Sequence, residues 1–198
     1  MKWRLLMVML PLGTLVLLLA CEREKTILGP LYNIDSLLTR QAQYLLLHQA
    51  TINKFTVLGE KPGKVTLRPA DNAVWIKELE IFESLNVINK PVNRARYKIE
   101  HYSDTKSNLK VKAFTTTDDL SIRFLRVYYH LAPNRVKKIE AAYNESNSLY
   151  HSTRMLTMEF EEVRDTSVLT SYSILGGQKM FLDDTVRYDI KGIVNLGN

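Results

Sequence analysis

Cysteine occurs once in this chain of 198 residues, at position 21. A single thiol excludes an intramolecular disulfide framework and any zinc site built from several thiolates. Histidine is nearly as scarce. His48, His101, His130 and His151 are the four, and none stands at the spacing of an HExxH pair or of another close ligand set. With eight glycines and six prolines in a chain that is 45% hydrophobic, collagen-like, low-complexity and disordered readings are excluded for most of its length. No GxSxG motif is present to supply a nucleophile elbow. Gly176-Gly177-Gln178-Lys179 joins two expected strands and lacks the following helix that a phosphate cradle requires. Beyond residue 20 no apolar run approaches the roughly 20 residues of a membrane-crossing helix.

Paired carboxylates stand at Asp118-Asp119, Glu161-Glu162 and Asp183-Asp184. Two acids in general acid–base work must face each other across a cleft, whereas neighbours on a strand point to opposite faces. These pairs therefore read as turn and edge solubilisers. The chain shows no catalytic set, no cofactor motif and no metal site, and the expectation is a protein that is not an enzyme. The alternative is convergence of His101, His130 and His151 with acids across a sheet, which would suit a hydrolase acting on envelope polymers.

What is present begins at the amino terminus. Lys2 and Arg4 form a short positive region, and Leu5 to Ala20 is apolar except for Pro11, Gly13 and Thr14. The run is short for a membrane span, and Pro11 and Gly13 weaken a helix at its middle, so it reads as the h-region of a secretory signal. Leu18-Leu19-Ala20-Cys21 follows, placing the one cysteine after a small residue at the end of that run.

This segment resembles the lipobox of bacterial lipoproteins, and with the body described below the chain resembles small outer-membrane lipoproteins of didermal bacteria. The resemblance implies that the Cys21 thiol receives a diacylglyceryl group, that the signal is cut before it, and that acyl chains such as palmitate hold the protein on a membrane. Glu22, where an inner-membrane retention signal would carry Asp, implies the outer membrane. Removing Lys2 and Arg4 from the 27 basic residues leaves 25 against 21 acidic ones, a charge of +4 spread along the chain. That surplus suits solubility and anionic headgroups and does not indicate a nucleic-acid partner.

The spacing divides the chain into a signal peptide over 1–20, a lipidated tether over 21–31 and one domain over 32–198. A helix is predicted from Asn33 or Asp35, with Leu38, Ala42, Leu45, Gln49 and Ile52 on one stripe widened by Leu37, Leu46 and Phe55, ending at Gly59. Val65 to Arg68 offers one short strand. A second helix is predicted from Asp71 to Leu85, with Trp75, Leu79 and Phe82 on one face. Its β-branched Val74, Ile76 and Ile81 leave a strand as the alternative. After Pro91, seven segments rich in Val, Ile, Thr, Tyr and Phe alternate with polar breaks, and Gly176-Gly177 is read as a hairpin turn. Connections this short demand antiparallel neighbours. The expected fold is α+β: two N-terminal helices packed on a curved antiparallel meander of about seven strands.

Tyr97, Tyr102, Tyr128, Tyr129, Tyr143, Tyr150, Tyr172 and Tyr188 fall in those segments, as β-propensity would place them or as the walls of a groove. The element order is also loosely similar to the lipoprotein-carrier and lipoprotein-receptor fold, whose helices cap an apolar cavity. Two functions follow as expectations. The first is a non-enzymatic binding or assembly factor that is anchored through Cys21 in the outer membrane, faces the periplasm and engages another envelope protein or lipid. The alternative is a lipid- or lipoprotein-binding module with Leu45, Trp75, Phe82, Phe124 and Leu125 around a cavity between helices and sheet.

Overall fold

A computed structural model describes residues 29–130, 132, 135–180 and 184–197. The signal peptide, Cys21 and the tether up to residue 28 lie outside the described residues. Helix α1 (Ile34–Leu47) starts where Asn33 accepts the Ser36 amide, and it buries Leu37, Leu38, Ala42 and Leu45 along one face. Its end departs from the expectation. The helix stops at Leu47 because Gln49 takes a left-handed φ of 49°, so that Gln49 N–H bonds the Leu46 carbonyl and Ala50 N–H that of Leu45. This is a Schellman closure with glutamine where glycine usually stands.

Residues expected to prolong the helix are instead strand β1 (Thr51–Leu58), which pairs with β2 (Lys61–Leu67). Gly59 supplies the positive φ of 60° in the connecting turn. Asp71 caps α2 (Asn72–Glu83) by accepting the Val74 amide, and Trp75, Leu79 and Phe82 are buried as their spacing requires. A 3-10 turn (Ser84–Asn89) and the short α3 (Pro91–Arg94) follow.

The remaining strands are β3 (Lys98–Ser103), β4 (Lys110–Thr115), β5 (Ile122–Tyr129), β6 (Val136–Ser146), β7 (Tyr150–Val163), β8 (Thr166–Met180) and β9 (Thr185–Asn195). All nine strands form one antiparallel sheet in the order β2-β1-β9-β8-β7-β6-β5-β4-β3. The fold is thus α+β, with nine strands in place of seven and with a hairpin between the two main helices. That hairpin closes back on the C-terminal strand, β1 against β9, a long-range pairing that no local pattern announces.

Gly176-Gly177 is a second correction. Both glycines sit inside β8, opposite Tyr188 and Arg187, and neither has a positive φ. The strand instead continues to Met180, and Lys179 still pairs with Thr185 of β9. At the other end of β8, Arg164 and Asp165 adopt φ of 47° and 64° in a primed two-residue turn, held by Arg135, which lies 2.8 Å from both Glu162 and Asp165.

One sheet face packs against the helices. Phe114, Leu125, Ile139, Leu156, Met158 and Tyr172 meet Leu38, Leu45, Trp75 and Phe82 in a single core. Gln41 ties α1 to β8 from both ends of its amide, donating to the Ser167 carbonyl and accepting the Leu169 amide at 2.8 Å each. Tyr172 donates to Glu78, and the same carboxylate oxygen lies 2.8 Å from Lys54, which joins α2, β8 and β1. Burial, then the bond to Glu78, pushes the Tyr172 hydroxyl well above the usual tyrosine range. Among the described residues, no helix is long and apolar enough to cross a membrane.

Candidate functional site

The helices cover the sheet only as far as Ile174 on β8. Beyond it β6, β7, β8 and β9 continue, and apolar side chains emerge on both faces: Leu175 is 57% and Met155 39% exposed on the outer face, and Leu58 is 58% and Val186 48% exposed on the helix side. Exposed apolar residues are ordinary where they stand singly, and Met155 beside Leu175 across β7 and β8 is the apolar pair that this end of the outer face presents.

The outer face of this extension, turned away from the helices, carries a trough of about 580 Å³. Cross-strand register builds it in three rungs. The first runs Ala142, Met155, Leu175 and gives an apolar floor, with Asp189 and Val57 continuing it past the trough. The second runs Asn144, Thr153, Gly177, Arg187. The third runs His151, Lys179, Thr185.

Gly177 opens the middle rung. A Cβ there would meet the Thr185 methyl at 3.3 Å and otherwise only fill the depression. Its neighbour Gly176 points to the helix side, where Tyr188 lies across it, and a Cβ would fall 2.4 Å from the Thr153 carbonyl oxygen. Two adjacent glycines thus perform different tasks on opposite faces.

The lining is positive. Lys179 and Arg187 supply the charge of the rim, with His151 beside them, and among the described residues no carboxylate lines the trough. Lys179 and Arg187 make no ion pair among the described residues, so their fields are directed outward. Arg154 is committed elsewhere, 3.6 Å from Glu145 and stacked on Tyr143 on the helix side. Such a surface accepts a group with an apolar body and an acidic end. A second groove of about 580 Å³ between α1 and the β7–β8 turn is less free, because its Arg40 bonds Ser36 at 2.5 Å and its Asp165 is held by Arg135.

The residues singled out from sequence are dispersed. His101 lies on β3 and His151 on β7, four strand spacings or roughly 19 Å apart across the sheet. Among the described residues no group of three His, Cys, Asp or Glu is placed to hold a metal ion. Asp118 pairs with Arg96 and Asp119 with Arg123, while Glu162 pairs with Arg135. The tyrosines divide. Tyr97 precedes β3 and is buried, donating to the Ile122 carbonyl, and Tyr172 and Tyr188 lie over glycines of the partner strand. Tyr128 bonds Glu140 on the outer face at 2.8 Å, and desolvation followed by that bond pushes its hydroxyl up to about 12. None of them lines the trough.

Sequence reasoning missed the trough because it read Gly176-Gly177 as a turn. The signal was available. Alternation of Tyr172, Ile174, Gly176 and Gln178 against Ser173, Leu175, Gly177 and Lys179 continues straight through the pair. Compared with protein-family models, with curated proteins and with solved structures, the chain finds no match in any of the three.

Proposed function

We propose that this protein is a lipid-anchored binding factor of the bacterial envelope, held in the outer membrane through Cys21 with its body in the periplasm. It acts by association and not by catalysis, taking an acidic, partly apolar segment of another envelope protein across the β6–β9 trough. The observation that carries this reading is the coincidence of an uncovered apolar rung with a rim of one charge sign. Complementary charge steers such a partner and fixes its register, while Met155 and Leu175 supply desolvated contact.

The cavity reading has less support. Leu45, Trp75, Phe82 and Leu125, the residues that would line a void, are each 0% exposed within the core. A side chain bordering a water-sized void keeps surface against it. Phe124, the fifth, lies on the outer face opposite Ala142. The trough itself is floored by a sheet with nothing above it, whereas an acyl chain demands enclosure of most of its surface.

A photo-crosslinking residue at Leu175 tests the reading in the membrane-bound protein, with one at Leu47 as the comparison, since Leu47 is exposed on α1. Discrete protein adducts should form from position 175 alone, and Lys179→Glu/Arg187→Glu should abolish them. Identical adducts from both positions, or adducts indifferent to charge reversal, would contradict the proposal.

A further inference from the structure

The described chain begins at Gly29, and its first residues are fastened to one corner of the body. Arg94 donates to the Gly29 carbonyl at 2.6 Å, and Asn89 accepts the Leu31 amide at 2.7 Å. Leu31 itself is 5% exposed within the core. Eight residue steps separate Gly29 from Cys21, a reach of at most about 28 Å. On the anchor reading above, on which this inference rests, the corner around α3 is therefore the part of the body held nearest the bilayer.

Its composition suits that position. Residues 90–98 read Lys-Pro-Val-Asn-Arg-Ala-Arg-Tyr-Lys, with four basic side chains and no acid. Arg96 and Lys98 are matched by Asp118 at 2.6 Å and Glu100 at 2.8 Å. Lys90, which precedes α3, makes no ion pair among the described residues, whereas Arg94 at the other end of the helix is engaged in fastening Gly29. Between them Val92 projects with 75% of its surface exposed. An exposed apolar tip beside an unmatched lysine, on a segment without an acid, has the chemistry of an interfacial contact. The apolar group enters the headgroup layer while lysine stays at the level of the phosphates.

We propose that the α3 corner is a second membrane contact: Val92 inserts at the headgroup boundary, and Lys90 meets anionic lipid phosphates beside the acylated Cys21. The lipid chain supplies attachment, and the corner supplies orientation. Leu31 and α3 belong to the helix side of the sheet, so this seat turns the trough on the opposite face away from the bilayer, toward the periplasmic partner.

The lone cysteine makes the test clean, because acylation consumes the Cys21 thiol and leaves Val92→Cys as the single reactive one. Full-length lipidated protein is labelled there with an environment-sensitive fluorophore and reconstituted into phosphatidylcholine vesicles, with or without phosphatidylglycerol, carrying a nitroxide lipid as quencher. Leu149→Cys, 66% exposed between β6 and β7, is the comparison. Quenching should be severalfold stronger at position 92 than at 149, should increase with phosphatidylglycerol, and should fall in Lys90→Glu/Lys98→Glu. Equal quenching at the two positions, or quenching indifferent to anionic lipid, overturns the seat while leaving the anchor intact. A chain that fails to float with the vesicles and whose Cys21 still reacts with thiol reagents overturns the anchor itself, and the seat with it.

Discussion

Alanine at position 192 adds one carbon where, among the described glycines, a neighbour stands closest. Its Cβ would lie 2.2 Å from Cε1 and 2.3 Å from Cζ of Tyr172, whose ring lies flat across Gly192 from the adjacent strand. The ring has nowhere to retreat. It is 2% exposed, it meets Phe82 edge-on at 5.9 Å between centroids, and its hydroxyl is bonded to Glu78. Overpacking of this kind costs about 1–3 kcal/mol. Displacing the ring also strains a hydrogen bond to a charged acceptor, about 1.5–3 kcal/mol. Replacing glycine in a strand returns about 0.5–1 kcal/mol. The net expectation for Gly192→Ala is a loss of roughly 2–5 kcal/mol, and a 3 kcal/mol loss corresponds to roughly 6–12 °C in Tm for a domain of this size. The assay is thermal and urea unfolding followed by circular dichroism, run as a double-mutant cycle with Tyr172→Ala. Once the ring is gone, Gly192→Ala should be close to neutral. Additive effects within about 0.5 kcal/mol would refute the reasoning, because the clash would then lie elsewhere.

The two neighbouring glycines of β8 should separate in the same assay. Gly176→Ala drives a Cβ to 2.4 Å from the Thr153 carbonyl and should cost at least about 2 kcal/mol, whereas Gly177→Ala, facing the open trough, should stay within about 0.5 kcal/mol of wild type; equal losses would point to a turn and not a strand. Stability should also fall under alkaline conditions. Burial pushes the hydroxyls of Tyr32 and Tyr97 up to about 12. The same groups ionise near 10 in the unfolded chain. The unfolded state therefore loses its protons first. The contribution of these tyrosines is fully present below about pH 10 and is lost progressively toward about pH 12. Urea midpoints measured across that window should decline, with a shallower decline in Tyr97→Phe, and a flat profile would contradict the assignment.

Which parts of the fold were legible follows from how local their causes are. Asn33 and Asp71 were readable as caps because a short side-chain oxygen three residues before an exposed amide is a local device. Trp75, Leu79 and Phe82 lie on one face of one helix, and the strand segments after Pro91 announced themselves by alternation. The end of α1 was not readable, because Gln49 performs the closure that glycine normally signals and Ile52 and Phe55 happen to continue the helical stripe. The pairing of β1 with β9 joins residues more than a hundred positions apart, which no window along the chain can contain. The trough failed for a related reason. Its middle rung depends on Asn144, Thr153, Gly177 and Arg187 standing side by side on four strands, and a turn placed at Gly177 removes that register altogether.

The claim on which both the function and the membrane seat depend is that Cys21 carries the lipid. Metabolic labelling with an alkynyl fatty acid, read beside gel mobility in wild type and Cys21→Ser, addresses it directly. A hydroxyl is a poor substitute for the thiolate nucleophile. Wild type should therefore be labelled and processed, while Cys21→Ser should remain unlabelled and migrate as the larger precursor that retains its h-region. Equal labelling of the two proteins, or normal processing of Cys21→Ser, would contradict the account.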